Sequence, residues 1–263
     1  MEIGEKYADA DGYDAYMGGW SSRLAGPFLD FASVLDGGTI VDFGCGTGNL
    51  LAAAAMAYRD AKLIGIEPSS ALLAKAKRRS ELAGAMLLEG EVAGIPLEDA
   101  TADFMLSLLV LQEFSDRSAA LAEMRRVTRS GGTIAGCQWD FARMPIITNL
   151  MSAIEVVRPE AAQAIALNSP KIFSDESELL SCWQDGGLVQ IRTGRITVVQ
   201  TFNTFDDLWL PLLAGSTPST LTLASMSHPE QRAVRSNMQV RIGSQSDGPI
   251  AVSAEAIVIA GLS

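Results

Sequence analysis

The residues best suited to chemistry gather early in the chain. Gly44-Cys45-Gly46-Thr47-Gly48 follows the β-branched run Thr39–Phe43 and opens an alanine- and leucine-rich helical stretch from Asn49 to about Tyr58. A glycine loop at such a turn permits positive φ angles and close backbone approach, with helix N–H groups facing the ligand. Its spacing is G-x-G-x-G, and Asn49 stands where a dinucleotide fingerprint places its third glycine, so a pyrophosphate cradle matches less well. No G-x-x-x-x-G-K-S/T occurs, which removes a P-loop. Glu67 ends the next apolar run, Lys62–Glu67, where a carboxylate can accept hydrogen bonds from both hydroxyls of an adenosine ribose. It can equally serve as a helix-start carboxylate, favoured by the dipole of the helix opening at Pro68. In the acidic loop Glu89–Asp99, Glu91 suits an adenine amino group and Val92 the face of the ring. Alone that loop is ordinary; at this place in the order it completes a nucleoside site.

These residues need a scaffold, and the first half of the chain spells one. Short strand patterns (Thr39–Phe43, Lys62–Glu67, Met86–Glu89, Asp103–Leu109, Thr133–Trp139) alternate with helical ones. Pro68-Ser69-Ser70 signals a helix start, with Pro in the first turn, and Leu72, Leu73 and Ala76 form its inward stripe. Asp116 is placed to cap a helix carrying Ala120, Leu121, Met124 and Val127, which Gly131-Gly132 should stop. Alternation of this kind implies parallel strands joined by right-handed crossovers, an α/β fold whose ligands bind beyond the carboxyl ends of the strands.

The second half is less regular. Residues 141–173 carry helical apolar spacing (Ile147, Leu150, Met151, Ile154). Ser174–Asp185 reads as a helix, Leu188–Gln200 as a strand region and Pro249–Ala260 as an alternating strand. Between them lies a long insertion, 201–248, with Trp209 and the helical run Glu230–Arg241. The organisation expected is one domain: an N-terminal helical segment over 1–38, a ligand-binding core over 39–139, and insertions at 140–173 and 201–249 capping one end of the sheet.

Composition bounds the partners. The 263 residues are 48% hydrophobic, enough for a sizeable core, and no apolar stretch approaches the ~18 residues of a membrane helix. The start, MEIGEKYADADGYD, is acidic and has no signal-peptide pattern. Lys and Arg number 20 against 31 Asp and Glu, a net charge of −11 that repels phosphate backbones, and the cluster Lys75–Arg79 reads as a solvated helix face. Cys45, Cys137 and Cys182 are widely spaced, with His228 the sole histidine, so neither a disulfide framework nor a zinc site is expected. A reducing cytoplasmic setting, no nucleic acid, no membrane, and a monomer or homodimer are the corresponding expectations.

The chain resembles a class I S-adenosylmethionine-dependent methyltransferase of the broad small-molecule group that includes quinone-biosynthesis enzymes. The matching segments are Val41–Gly48, Gly65-Ile66-Glu67-Pro68-Ser69, Gly90-Glu91-Val92 to Ile95-Pro96, Ser107–Glu113, and Glu123–Val127 up to Gly131-Gly132, in family order over roughly 39–139. The resemblance implies a Rossmann-like, mostly parallel seven-stranded sheet with helices on both faces and a helical cap. It implies S-adenosyl-L-methionine as cofactor and S-adenosyl-L-homocysteine as product. Carried onto this sequence, Gly44, Cys45, Gly46, Gly48 and Asn49 approach the methionine part and Asp42 braces the loop. Glu67 holds the ribose with Pro68 and Leu72 near it, and Gly90, Glu91 and Val92 meet adenine. Leu108 offers its carbonyl to the ammonium, and Gln112 stands where many relatives carry His. Glu at 91 replaces the commoner Asp.

Methyl transfer is an in-line displacement, so alignment and water exclusion dominate and a base is needed only for an acceptor that must lose a proton. Base candidates are Asp140, Glu113 and His228. Asp140 can instead be a loop or capping carboxylate, and His228 can simply decorate a helix start before Pro229. The aromatic N-terminal segment (Tyr7, Tyr13, Tyr16, Met17, Trp20) either closes as a lid or packs on the sheet edge, and Tyr13 and Tyr16, three apart, are able to share a helix face. Trp139, Met144, Phe205 and Trp209 are candidates to line an apolar acceptor pocket. No metal is expected, because no second carboxylate or Asn accompanies Asp140. Rival readings are non-methylating chemistry on the same cofactor (cyclisation or a pericyclic reaction), a non-catalytic cofactor-sensing module, and, resting on the glycine loop alone, a nicotinamide dehydrogenase.

Overall fold

The computed structural model describes residues 9–91, 94–114, 116–168, 176–214, 217–243 and 248–263. Its frame is a seven-stranded sheet of β1 (Thr39–Phe43), β2 (Lys62–Glu67), β3 (Met86–Glu89), β4 (Ala102–Leu108), β5 (Thr128–Trp139), β6 (Val189–Phe202) and β7 (Ile250–Leu262). The spatial order is β3-β2-β1-β4-β5-β7-β6. Strands β1 to β5 pair in parallel, and β7 runs antiparallel between β5 and β6. The order reverses between β1 and β4, so their carboxyl ends open the crevice where ligands of such sheets bind.

Helices cover both faces. A short helix α1 (Ala10–Tyr13) leads through a π-turn, Asp14–Gly18, into α2 (Gly19–Ala32). The next helices are α3 (Asn49–Ala57), α4 (Ser70–Ala76) and α5 (Arg117–Val127). They are followed by α6 (Pro145–Val157), α7 (Pro159–Asn168) and α8 (Glu176–Asp185). Last come α9 (Phe205–Leu213), α10 (Pro218–Ser225) and α11 (His228–Ile242). Strand alternation divides the core: Ile40, Leu106, Leu108, Cys137 and Trp139 point to one face with α2, α3 and the later helices, while Val41, Phe43, Met105 and Ile134 meet α5 and α8 on the other. Insertion helix α11 lies on α6, and the Arg158–Glu230 pair at 2.6 Å ties them.

Local signals explain most boundaries. Ser69 caps α4 by accepting from the Leu72 N–H, so Pro68 precedes the cap rather than sitting in the first turn. Asp116 caps α5 through the Ala119 N–H. The glycine pair does not stop α5, which ends at Val127 where Thr128 turns extended. Gly131, at φ +73°, and Gly132 lie inside β5, where the β4 register jumps from Ala102↔Thr128 to Phe104↔Thr133. A Cβ on Gly132 would stand 3.0 Å from two backbone oxygens, so the bulge demands glycine there. Strand β4 stops a residue early because Leu109 takes φ +64°. The helix expected over Ser174–Asp185 is seen as Glu176–Asp185, and its first two residues, with 169–173, lie outside the described ones.

Candidate functional site: a carboxylate-lined glycine loop under an N-terminal strap

The loop after β1 is shaped by three left-handed glycines, Gly44, Gly46 and Gly48, at φ +76°, +53° and +82°. They are not equivalent. A Cβ on Gly44 would press to 2.6 Å on Val110, and one on Gly48 to 2.6 Å on Leu82, so both serve packing. A Cβ on Gly46 would meet nothing within 4 Å. Gly46 therefore presents bare backbone to open space, as a ligand cradle requires. Gly44 and Cys45 donate their N–H groups to the Ile66 carbonyl at 2.8 and 3.0 Å, which pins the loop to β2.

Two buried carboxylates stand at this loop. Glu67 is 4% exposed; its Oε2 accepts from the Gly46 N–H and its Oε1 from the Ser69 N–H, both at 2.9 Å. Burial pushes its pKa up, and those two N–H groups oppose the rise. Each oxygen keeps a further lone pair for a ribose hydroxyl. Asp42 is 1% exposed and its Oδ1 accepts no hydrogen bond, so the loop is braced by the Ile66 carbonyl and not through that atom. Burial, then the charge of Glu67, hold Asp42 well above the usual carboxylate range. Two buried acids repel a pyrophosphate and favour a cationic ligand such as a sulfonium bearing an ammonium.

The remaining expected contacts divide. Leu72 is buried in α4 and Pro68 half-buried beside Glu67. Gly90 needs to be glycine, since a Cβ would reach 2.8 Å from Pro96. Glu91 is exposed and bridges back to Gly94, while Val92 lies outside the described residues. Leu108 closes β4 on the crevice face. Gln112 donates to the Leu109 carbonyl at 2.9 Å and leaves its buried Oε1 without a partner. Asn49 is spent on the scaffold: its amide donates to Ser21 Oγ at 2.9 Å and accepts from Arg79 at 2.7 Å.

The N-terminal segment both straps the site and packs on the sheet. Asp14 accepts from Thr47 Oγ1 at 2.9 Å and pairs with Lys75 at 3.0 Å, and Asp11 pairs with Lys75 at 2.9 Å. Lys75 and Arg79 of the basic cluster are thus turned to the strap and the glycine loop. Helix α2 then lies along β6. The π-turn carries Tyr13 and Tyr16 to different surroundings, so the shared face expected from their spacing does not form. Tyr13 is half-buried among Glu67, Glu113, Asp14 and Asp42, and burial with those charges pushes its pKa up. Tyr16 is buried and hydrogen-bonded to Thr217. Met17, Trp20, Trp139, Met144, Phe205 and Trp209 join Tyr16 in one apolar cluster. The Trp20 and Trp139 rings meet edge-on at 6.4 Å. Tyr7 lies outside the described residues.

The base candidates fare differently. Asp140 is directed away from Trp139: its Oδ2 accepts from Arg195 at 2.7 Å, and Arg195 also holds Glu255 at 2.6 Å, opposite Ile257 on the other face of the sheet. A carboxylate so engaged matches the alternative of a loop carboxylate held by an ion pair. His228 is exposed in the first turn of α11, beyond the cap residue Ser227, so it decorates a helix start. Glu113 alone remains at the crevice, close enough to Tyr13 to act on its charge. Among the described residues no cluster of three or more His, Cys, Asp or Glu stands ready for a metal. Leu109, Thr47, Asp14 and Gln200 contribute without a sequence signal; only the left-handed Leu109, where glycine would be the natural choice, marks a constrained site.

Comparison with known proteins agrees with this geometry. Residues 41–136 match a family model described as a methyltransferase domain. The chain is 37% identical over 106 residues to malonyl-[acyl-carrier protein] O-methyltransferase of Serratia marcescens, covering 40% of each chain. It is 25% identical over 197 residues to demethylmenaquinone methyltransferase of Roseiflexus castenholzii, covering 68% of this chain and 81% of that one. The fold is similar to that of phosphoethanolamine N-methyltransferase 2 of Haemonchus contortus, solved in complex with S-adenosyl-L-methionine. That match has TM-score 0.61 and 14% identity, over 100% of this chain and 60% of the other. The chain spans well under half the length of its more identical relatives. Over residues 41–136 the chain is similar to methyltransferase domains, and its fold is similar to that of an enzyme solved with S-adenosyl-L-methionine. The residues at the loop fit that cofactor: an uncrowded Gly46, a ribose-competent Glu67 and an unpartnered Asp42 oxygen. Among the described residues no helix is long and apolar enough to cross a membrane.

Proposed function

We propose that the protein transfers a methyl group from S-adenosylmethionine to an oxygen, nitrogen or carbon atom of a small-molecule acceptor. The observation that carries this reading is the glycine loop, where open space over Gly46 adjoins two buried carboxylates. The cofactor supplies an electrophilic methyl on a sulfonium. Glu67 receives the ribose hydroxyls, and Asp42 and the Leu108 carbonyl receive cationic charge. Gly90 and Glu91 border the adenine. The strap residue Asp14, bonded to Thr47 of the loop, excludes water from it. The described residues of insertions 140–173 and 201–249 form the acceptor side, with Tyr16, Trp20, Trp139, Met144 and Trp209 as its walls. Asp140 and His228 are left out of proton transfer, and of the three base candidates Glu113 is the one at the crevice.

Calorimetric titration with S-adenosylhomocysteine, with NAD in parallel, tests the reading. Saturable one-site binding of the first alone is expected. Binding of NAD with equal affinity would return the loop to the dehydrogenases. Release of S-adenosylhomocysteine together with a product 14 mass units heavier than a supplied acceptor, a mass gain set by adding CH2, separates methyl transfer from non-methylating chemistry and from sensing.

A further inference from the structure

The apolar cluster under Tyr16 contains two polar atoms that its packing does not explain. Trp139, 2% exposed, has its indole Nε1–H buried and without a partner, and the buried Gln200 Oε1 likewise accepts nothing. Such groups are normally satisfied, because a buried donor or acceptor left unpaired has lost its hydration with nothing in return. Both atoms border one step of the strap. The Trp20 ring lies 6.4 Å from the Trp139 ring, and a Cβ on Gly19 would stand 2.9 Å from the Gln200 amide. Trp139 on β5 and Gln200 on β6 flank β7, where Val252, Ala254 and Ala256 face the same side. Trp20 also meets Phe202 at 6.3 Å, so the strap's indole touches side chains of both β5 and β6, the strands on either side of β7.

We propose that Trp139 and Gln200 are the specificity pair for the acceptor: an uncharged, apolar-bodied molecule whose oxygen accepts from Trp139 Nε1 and whose hydroxyl donates to Gln200 Oε1. This rests on the methyltransferase reading and deepens it by naming the acceptor class. The chemistry of the walls selects the class. One donor and one acceptor are offered inside a cluster of Tyr16, Trp20, Met144, Phe202 and Trp209, and a site built to hydrogen-bond a hydroxyl discriminates against analogues lacking it. Among the described residues, burial raises the Tyr16 pKa and the Thr217 hydrogen bond opposes it, with no ionised side chain acting on it. An anionic acceptor entering there would lose its hydration with no counter-charge.

The test uses the full chain saturated with S-adenosylhomocysteine and three probes of one shape: 2-naphthol, 2-methoxynaphthalene and 2-naphthoate. Binding is read by quenching of tryptophan fluorescence and by calorimetry. For the wild type, 2-naphthol should bind at least tenfold more tightly than either other probe. Gln200→Leu should bring 2-naphthol down to the affinity of 2-methoxynaphthalene, which has no proton to donate. Trp139→Phe should weaken both neutral probes together, and thermal unfolding of each variant shows that it is folded. Equal binding of 2-naphthoate, an unchanged ratio of 2-naphthol to 2-methoxynaphthalene in Gln200→Leu, or no saturable binding of 2-naphthol would each overturn the pair. The cofactor reading is judged separately in the same cell. Retained S-adenosylhomocysteine binding with 2-naphthol absent sinks only the pair, and the reverse sinks only the cofactor assignment.

Discussion

Tyr13 and Tyr16 stand on consecutive turns of one segment and face two different solvents. Tyr13 looks onto Asp42, Glu67 and Glu113, a negatively charged end shaped by the glycine loop. Tyr16 looks onto tryptophans, with Thr217 as its hydrogen-bond partner. Tyr16 is buried and Tyr13 half-buried, but what sets the two apart is their electrostatic surroundings. One end is prepared for a cation, and the other for a neutral molecule. The polar cost is placed where it serves binding: carboxylates with spare lone pairs at the first, two unpaired neutral groups at the second.

Substitutions break this contrast to different degrees. The largest effect is expected from Gly46→Val, which fills the space over the loop and strains a residue at φ +53°. Calorimetry should then show no S-adenosylhomocysteine binding, and normal binding in a folded variant would mean the loop is not the cradle. Glu67→Ala should weaken the same titration by about 1–3 kcal/mol, the scale of hydrogen bonds to a charged group; unchanged affinity removes it from the ribose site.

Asp42→Asn acts on the unliganded protein as well. Because Asp42 has its folded pKa raised, its contribution to stability is full below the unfolded value near 4 and is lost as pH climbs through the folded value. The asparagine variant should therefore melt higher than wild type at pH 7, by roughly 2–4 °C if about 1 kcal/mol is recovered, and the gap should close toward pH 4. An equal gap at both pH values would mean the carboxylate is not penalised. The smallest effect belongs to Asp140→Asn, outside both ends. Cofactor affinity and transfer rate should stay at wild-type levels, with a stability loss of about 0–1 kcal/mol from a partly exposed ion pair. A strong drop in rate would return Asp140 to the acceptor.

How much of this was legible beforehand follows the range of the interactions. Strands β1, β2 and β3 match the pattern reading residue for residue: β1 and β2 are buried parallel strands bounded by turn residues, and the edge strand β3 is a short apolar run between such residues. The positions of the glycine loop after β1 and of Glu67 at the end of β2 were legible for the same reason. The ion pair of Asp140 was not legible because Arg195, which it shares with Glu255, is remote in sequence and reaches it only through β6 and β7. Tyr13 and Tyr16 were misread because α-helical spacing was assumed across what is a π-turn. Gln200 carried no signal at all: a glutamine in an alternating strand looks like any solvent-facing residue until the strap covers it.

The position of β7 sets an order of assembly. Strands β1 to β5 pair with neighbours supplied by crossovers of moderate length, whereas β6 has no strand to join until β7 arrives and enters between it and β5. Such non-local pairing is slow, since loop-closure entropy is lost before contacts repay it. On a growing chain the carboxylate-lined half has its strands long before the other half has its sheet. Trp139 and Gln200 acquire a common wall only in the last step of folding, and until then β5 presents an open edge that a chaperone or another strand can meet.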